Sequence, residues 1–116
     1  MSSASCIFCR IVRGEAAADI LHADEAITAF RDTNPQAPTH ILIVPNRHIT
    51  AVDALEDADV TLIGRLVLLA RDLAQREGIA SGGYRLVINN GAQAGQSVDH
   101  LHWHLLGGRR LRWPPG

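Results

Sequence analysis

The sequence contains no lysine, and all 11 basic residues are Arg. A phosphate-binding loop that depends on its lysine, a Schiff-base enzyme and a pyridoxal-phosphate enzyme are thereby excluded. Methionine occurs only at position 1, aromatic residues make up 4%, and there are two cysteines. No apolar run approaches the roughly 20 residues that span a bilayer. The start Met1-Ser2-Ser3-Ala4-Ser5-Cys6 lacks the basic and apolar stretches of a secretory signal. The expectation is a cytoplasmic protein without membrane attachment, in which two cysteines read as metal ligands or core residues rather than a disulfide. A net charge of -1 supplies no basic field for nucleic acid.

What is present is ordinary in bulk and unusual in one residue. The chain has 116 residues, 47% hydrophobic and 20% charged, which suits a single domain over residues 1–116. Ser5 is expected to cap a short helix over residues 6–13, closed by Gly14. Short strands are expected over 19–22 and 27–30, separated by a turn at Asp24-Glu25, with a Pro-containing loop over 32–39. The β-branched run 40–44 reads as a buried strand bounded by Pro45. Asp57 or Asp59 can cap a long helix that ends before Gly78, with Leu62, Leu66, Leu69 and Leu73 at helical spacing and Ile63, Val67 and Ala70 widening the stripe. Strands over 84–88 and 101–106 flank a loop of Gly, Ala, Asn and Gln at 89–96. The pattern predicts an α+β fold: a five-stranded antiparallel sheet with one long and one short helix. The long helix would cover one face and leave the other for a site.

Six histidines in so short a chain are the lead. In His100-Leu101-His102-Trp103-His104, strand alternation puts the three imidazoles in a row and Leu101, Trp103 and Leu105 in the opposite layer. Such a row can bind a catalytic Zn2+, or one imidazole can itself be a nucleophile whose neighbours orient it or protonate a leaving group. The upstream loop, Asn89 to Val98, offers backbone N–H groups, amides and a hydroxyl suited to phosphate oxygens and developing negative charge. A phosphate site facing a nucleophilic His is the preferred reading.

These residues resemble the His-φ-His-φ-His-φ-φ signature of the histidine triad superfamily. The tail from Gly95-Gln96-Ser97-Val98 through Gly107-Gly108-Arg109 to Trp113-Pro114-Pro115-Gly116 is similar to its Hint branch. Phe30, Asp32, Pro35-Gln36-Ala37-Pro38-Thr39-His40 and Pro45-Asn46-Arg47-His48-Ile49 match in the same order. The resemblance implies a homodimeric hydrolase that releases a nucleoside monophosphate from the P–N bond of a purine nucleoside 5'-phosphoramidate. By position, it implies that His102 is the nucleophile. His40, Ser97 and His104 would surround phosphate and leaving group, with Asn89 and the Gln96-Ser97 backbone beside them. Asp32 would hold the ribose hydroxyls, and Ile7, Phe8, Phe30 and Ile43 would enclose the base. Cys6-Ile7-Phe8-Cys9 resembles the zinc-containing bacterial members, which implies a structural zinc on Cys6, Cys9, His48 and His100. The rivals are a dinucleoside polyphosphate hydrolase on the same scaffold, a zinc-dependent hydrolase using the histidine row, and a non-enzymatic nucleotide-binding or partner-binding dimer.

Overall fold

A computed structural model describes residues 5–116. Its centre is a strand buried at every position, β3 (Thr39–Pro45), where a β-branched run has both faces covered. Around it lie β1 (Ile20–Ala23), β2 (Ile27–Arg31), β4 (Tyr84–Ile88) and β5 (Trp103–Gly107). All neighbours are antiparallel and the sheet order is β1-β2-β3-β5-β4.

The period-2 alternation divides the core in two. Ala29, Ile41, Ile43, Trp103 and Leu105 face the long helix α2 (Val60–Arg76), meeting its Leu66, Ala70, Leu73 and Ala74. Leu66 and Leu73 are at most 2% exposed, and each contributes about 1.5–3 kcal/mol of transfer free energy. Phe30, Leu42 and Val44 face the other way, against Cys6, Phe8, Cys9 and Ile11 of the short helix α1 (Ile7–Val12). The second face is therefore partly roofed by α1 rather than open. No helix among the described residues is long and apolar enough to cross a membrane.

Several boundaries differ from the sequence reading, each for a local reason. The N-cap of α1 is Cys6, not Ser5: the backbone of Cys6 is extended and its sulfur accepts the Cys9 N–H. Gly14 does follow the helix, with φ +76°, a left-handed conformation that a side chain disfavours. Helix α2 begins after Asp59, but that carboxylate does not cap it. Its oxygens accept the Glu56 N–H and pair with Arg47, holding the preceding short 3-10 turn. Val67 lies outside the buried stripe of α2, 41% exposed beside Leu68 at 51%.

Strand β5 starts at Trp103 rather than 101. The last paired residues are Ile43 and Trp103, and two positions further along β3 stands Pro45, which has no N–H to extend the ladder. The Pro45 carbonyl is taken instead by the Nε2–H of His100, at 2.8 Å. At the other end of β5, Gly107 is required by packing. A Cβ there would lie 2.6 Å from Ile79 Cδ1.

Candidate active site and metal cluster

Two groups of histidines lie on the α1 side of the sheet, and β5 with its approach supplies members of both. The first group joins Cys6 and Cys9 of α1, His48 after β3, and His100 before β5. One donor atom from each lies within 4.8 Å of all the others. Nδ1 of His100 is 3.4 Å from Cys6 Sγ and 3.5 Å from Cys9 Sγ, and Nδ1 of His48 is 3.2 Å from Cys9 Sγ. Because His100 Nε2 donates to Pro45, its Nδ1 carries a bare lone pair aimed at the sulfurs. Burial and the adjacent Cys6 push the Cys9 thiol up to about 11, so a thiolate pair here needs a cation beside it. Among the described residues His48 Nε2 is buried with no hydrogen-bond partner, and the ring's one hydrogen-bond contact is the Cys9 sulfur. The donor set fits a metal: tetrahedral Zn–S and Zn–N bonds imply S···N edges of about 3.6 Å.

The second group is His40, His102 and His104, and backbone partners set its tautomers. The Gln36 N–H donates to His40 Nδ1 at 3.0 Å, so the His40 proton sits on Nε2. That proton is donated to His104 Nδ1 at 2.9 Å, which places the His104 proton on Nε2. His102 donates its Nδ1–H to the His100 carbonyl at 2.7 Å. Its Nε2 is therefore a bare lone pair, the form a nucleophile requires.

Asp32 Oδ2 lies 3.4 Å from His40 Nε2, so Asp32, His40 and His104 also gather three potential metal ligands. The tautomers argue against an ion there. A metal on His40 Nε2 would force the proton to Nδ1, against the Gln36 N–H. An ion held by Asp32, His40 and His104 thus conflicts with the hydrogen bonds of that group.

A cavity of about 400 Å³ opens beside His102 and His104. Ile7, Phe8, Ile11, Phe30 and Leu42 give it apolar walls, and Asp32, Thr33 and Ser97 polar ones. The Phe8 ring meets Phe30 edge-on at 5.4 Å and His102 at 5.1 Å between centroids. Among the described residues, the Ser97 hydroxyl and the Ser97 and Val98 N–H groups make no hydrogen bond, so they remain available to an anion. Asp32 divides its carboxylate: Oδ1 accepts the Asn34 N–H at 2.8 Å and holds the turn, leaving Oδ2 toward His40.

One expected residue lies elsewhere. Ile43 is fully buried in the α2-side core. Its neighbour Leu42 is the cavity wall, because alternation puts Leu42, not Ile43, on the face of His40. That parity was available in the sequence. Asn89 lines a second cavity, with His40 and His104. Gln96 spends its side chain on its own loop, accepting the Gly91 N–H and donating to the Thr50 and Val98 carbonyls. The Gln36 N–H and the His100 carbonyl were missed because main-chain groups leave no mark in a residue pattern.

The HIT domain family matches this chain over residues 13–111. The chain belongs to the HIT family. It is 49% identical over 105 residues to the purine nucleoside phosphoramidase of Escherichia coli (strain K12), covering 90% of this chain and 88% of that protein. Among solved structures, a HIT family hydrolase from Legionella pneumophila Philadelphia 1 superimposes with a TM-score of 0.95. The two are 48% identical, covering 97% of this chain and all of that one. A histidine triad protein from Clostridium difficile gives 0.92 at 35% identity, covering 97% of each chain.

In this HIT protein, burial pushes His104 down to about 4, and the neighbouring His102 and His40 push the same way. Burial also lowers His40, against the opposing pull of Asp32. Both rings are neutral near pH 7, as the hydrogen-bond chain requires. The unfolded chain protonates His104 below about 6.5 and the folded one only below about 4. This side chain's contribution is thus complete above 6.5 and disappears as pH falls toward 4. The melting temperature should fall across that window, and less steeply in His104→Gln. Parallel pH profiles for the two proteins would refute the assignment.

Proposed function

We propose that this chain, acting as one domain over residues 1–116, hydrolyses the P–N bond of purine nucleoside 5'-phosphoramidates through a nucleotidyl-histidine intermediate. The observation that carries the reading is the bare Nε2 of His102 beside neutral His104, at the polar end of an apolar cavity. The similarity to the Escherichia coli phosphoramidase supports it. The base lies among Ile7, Phe8, Phe30 and Leu42, and Asp32 Oδ2 accepts from the ribose hydroxyls. Ser97 and the loop N–H groups hold the phosphate. His102 Nε2 bonds to phosphorus while the P–N bond breaks and its electron pair leaves with the amine. The proton that nitrogen needs is relayed from solvent by the His104 Nε2–H and the Ser97 hydroxyl. Positive charge growing on His102 is stabilised through its Nδ1–H by the His100 carbonyl. Water then attacks phosphorus and the P–Nε2 bond breaks, releasing the monophosphate and restoring His102. His102→Ala should lose at least about a thousandfold in turnover while still binding nucleoside monophosphate. Acid quench of the native protein should trap the nucleotide on His102. Retention of more than a few per cent of activity by the variant would exclude this nucleophile.

The Cys6, Cys9, His48 and His100 cluster is proposed to hold a structural zinc. Four protein ligands leave no open position for water, and the ion would tie α1, the segment after β3 and the approach to β5 together. When bound, it supplies cross-linking rather than chemistry. Cys6→Ser and Cys9→Ser should lower zinc content and melting temperature together. Loss of turnover in a chelated but still folded protein would instead favour a zinc-dependent reaction.

A cytoplasmic homodimer is the proposed assembly. β4 is an edge strand with one side unpaired, and Tyr84 and Ile88 on it are 37% and 39% exposed. Leu68 of α2 is 51% exposed, and Trp113, 81% exposed, begins a Trp-Pro-Pro tail that would reach toward the partner's site. An uncovered edge beside apolar surface is a liability that a second copy removes. Sedimentation as a monomer at micromolar concentration would overturn this.

A further inference from the structure

The second cavity, about 580 Å³, is larger than the nucleoside cavity, and His104 lines both. His102 lines only the first. In an in-line displacement the nucleophile and the leaving group lie on opposite sides of phosphorus. The His102 and His104 rings touch edge-on at 5.0 Å between centroids, so a phosphate sits across their Nε2 edges. Attack by His102 directs the leaving amine away from that ring, toward the second cavity that His104 also lines.

The charged side chains of that cavity are of one sign. Arg85 and Arg109 supply them beside Val87, Leu106 and Leu111, no Asp or Glu side chain lines it, and Pro115 and Gly116 of the tail line it as well. Register fixes Arg85 in place: Val87 pairs with His104 and Arg85 with Leu106, so Arg85 and Val87 share the face of the catalytic row. Arg31, Arg47 and Arg65 each have an acidic partner. Among the described residues Arg85 and Arg109 have none and are held by carbonyls. Arg85 donates to Arg112 O at 2.8 Å, and Arg109 donates to Gln36 O through Nε and Nη2 and to Arg110 O through Nη1. Carbonyl anchors fix a guanidinium without cancelling its charge, which prepares it for an anion at little entropic cost.

We propose that this cavity is the leaving-group subsite and that Arg85 and Arg109 select amines carrying a carboxylate. The inference rests on the phosphoramidase reading. The carboxylate accepts from the guanidinium groups, and the adjoining Val87, Leu106 and Leu111 cover the carbon chain that joins it to nitrogen.

The test uses adenosine 5'-phosphoramidates of glycine, β-alanine and 4-aminobutyrate, each as the free acid and as the neutral primary amide. The unsubstituted phosphoramidate normalises each variant. For at least one chain length, the native protein should prefer the acid by about tenfold in kcat/KM, the scale of a charge-assisted hydrogen bond partly screened by solvent. In Arg85→Gln or Arg109→Gln that ratio should fall toward one. Comparing the acid-to-amide ratio of each variant with that of the native protein cancels the intrinsic ability of each amine to leave. Equal kinetics for acid and amide in the native protein would overturn the proposal. So would a loss in the variants shared equally by acid, amide and unsubstituted substrate, which would mark the arginines as anchors of the tail. Calorimetry in a His102→Ala background reads the same preference as affinity, without turnover. If no compound is hydrolysed, unsubstituted phosphoramidate included, the phosphoramidase reading fails, and the calorimetric acid-to-amide ratio still decides the subsite.

Discussion

His100 is the residue on which the site depends, because it meets three demands at once. Its Nε2–H takes the Pro45 carbonyl at the point where β3 no longer pairs with β5. Its Nδ1 is thereby turned, as a bare acceptor, toward the sulfurs of Cys6 and Cys9. Its own carbonyl takes the Nδ1–H of His102 and so exposes the Nε2 of that ring to the cavity. One buried residue thus joins the end of the sheet, the cluster on α1 and the orientation of the proposed nucleophile. A change in the cluster has a short path to the chemistry, and Phe8 gives a second one: it lies between the two cysteines in sequence and packs its ring edge-on against His102.

The face that carries His40, His102 and His104 is organised by backbone groups as much as by side chains. Imidazole is ambiguous in isolation, since either nitrogen can carry the proton. Here a donor that cannot change, the Gln36 N–H, and an acceptor that cannot change, the His100 carbonyl, remove the ambiguity at both ends. The loop over residues 32–39 therefore does more than connect β2 to β3. Its Asp32 holds the turn with one oxygen and offers the other to the site, and its Gln36 sets the state of His40 and, through it, His104. Burial keeps both rings neutral, so the arrangement holds at neutral pH.

The two cavities differ in character along one line. The first cavity is mostly apolar with a carboxylate at Asp32, whereas the second is bordered by guanidinium groups held by carbonyls. His104 stands between them, where a phosphorus would change partners. A substrate asymmetric about its phosphate fits this asymmetry of walls, with the nucleoside on one side and the displaced amine on the other.

Much of this was determined by the sequence alone. Alternation in 100–106 separates the imidazoles from Leu101, Trp103 and Leu105, because a strand has only two faces. The leucine spacing of α2 identifies the layer that covers one of them. Cysteines at i and i+3 on one turn of helix can share an ion. The sequence also held the parity that makes Leu42 rather than Ile43 the wall. Other features were decided only in three dimensions. Cys6 became the N-cap, β5 started late because Pro45 ended its partner's ladder, and Gln96 was committed to its own loop. The tautomers of His40 and His102 were set by main-chain atoms up to four residues away and that of His104 by the His40 ring, and the pairing of Arg85 and Arg109 with carbonyls rather than carboxylates depends on where the tail lies. Residue type specifies which groups are present, but a hydrogen bond depends on ångström-scale distances between segments far apart in the chain. Those distances exist only once the sheet has closed.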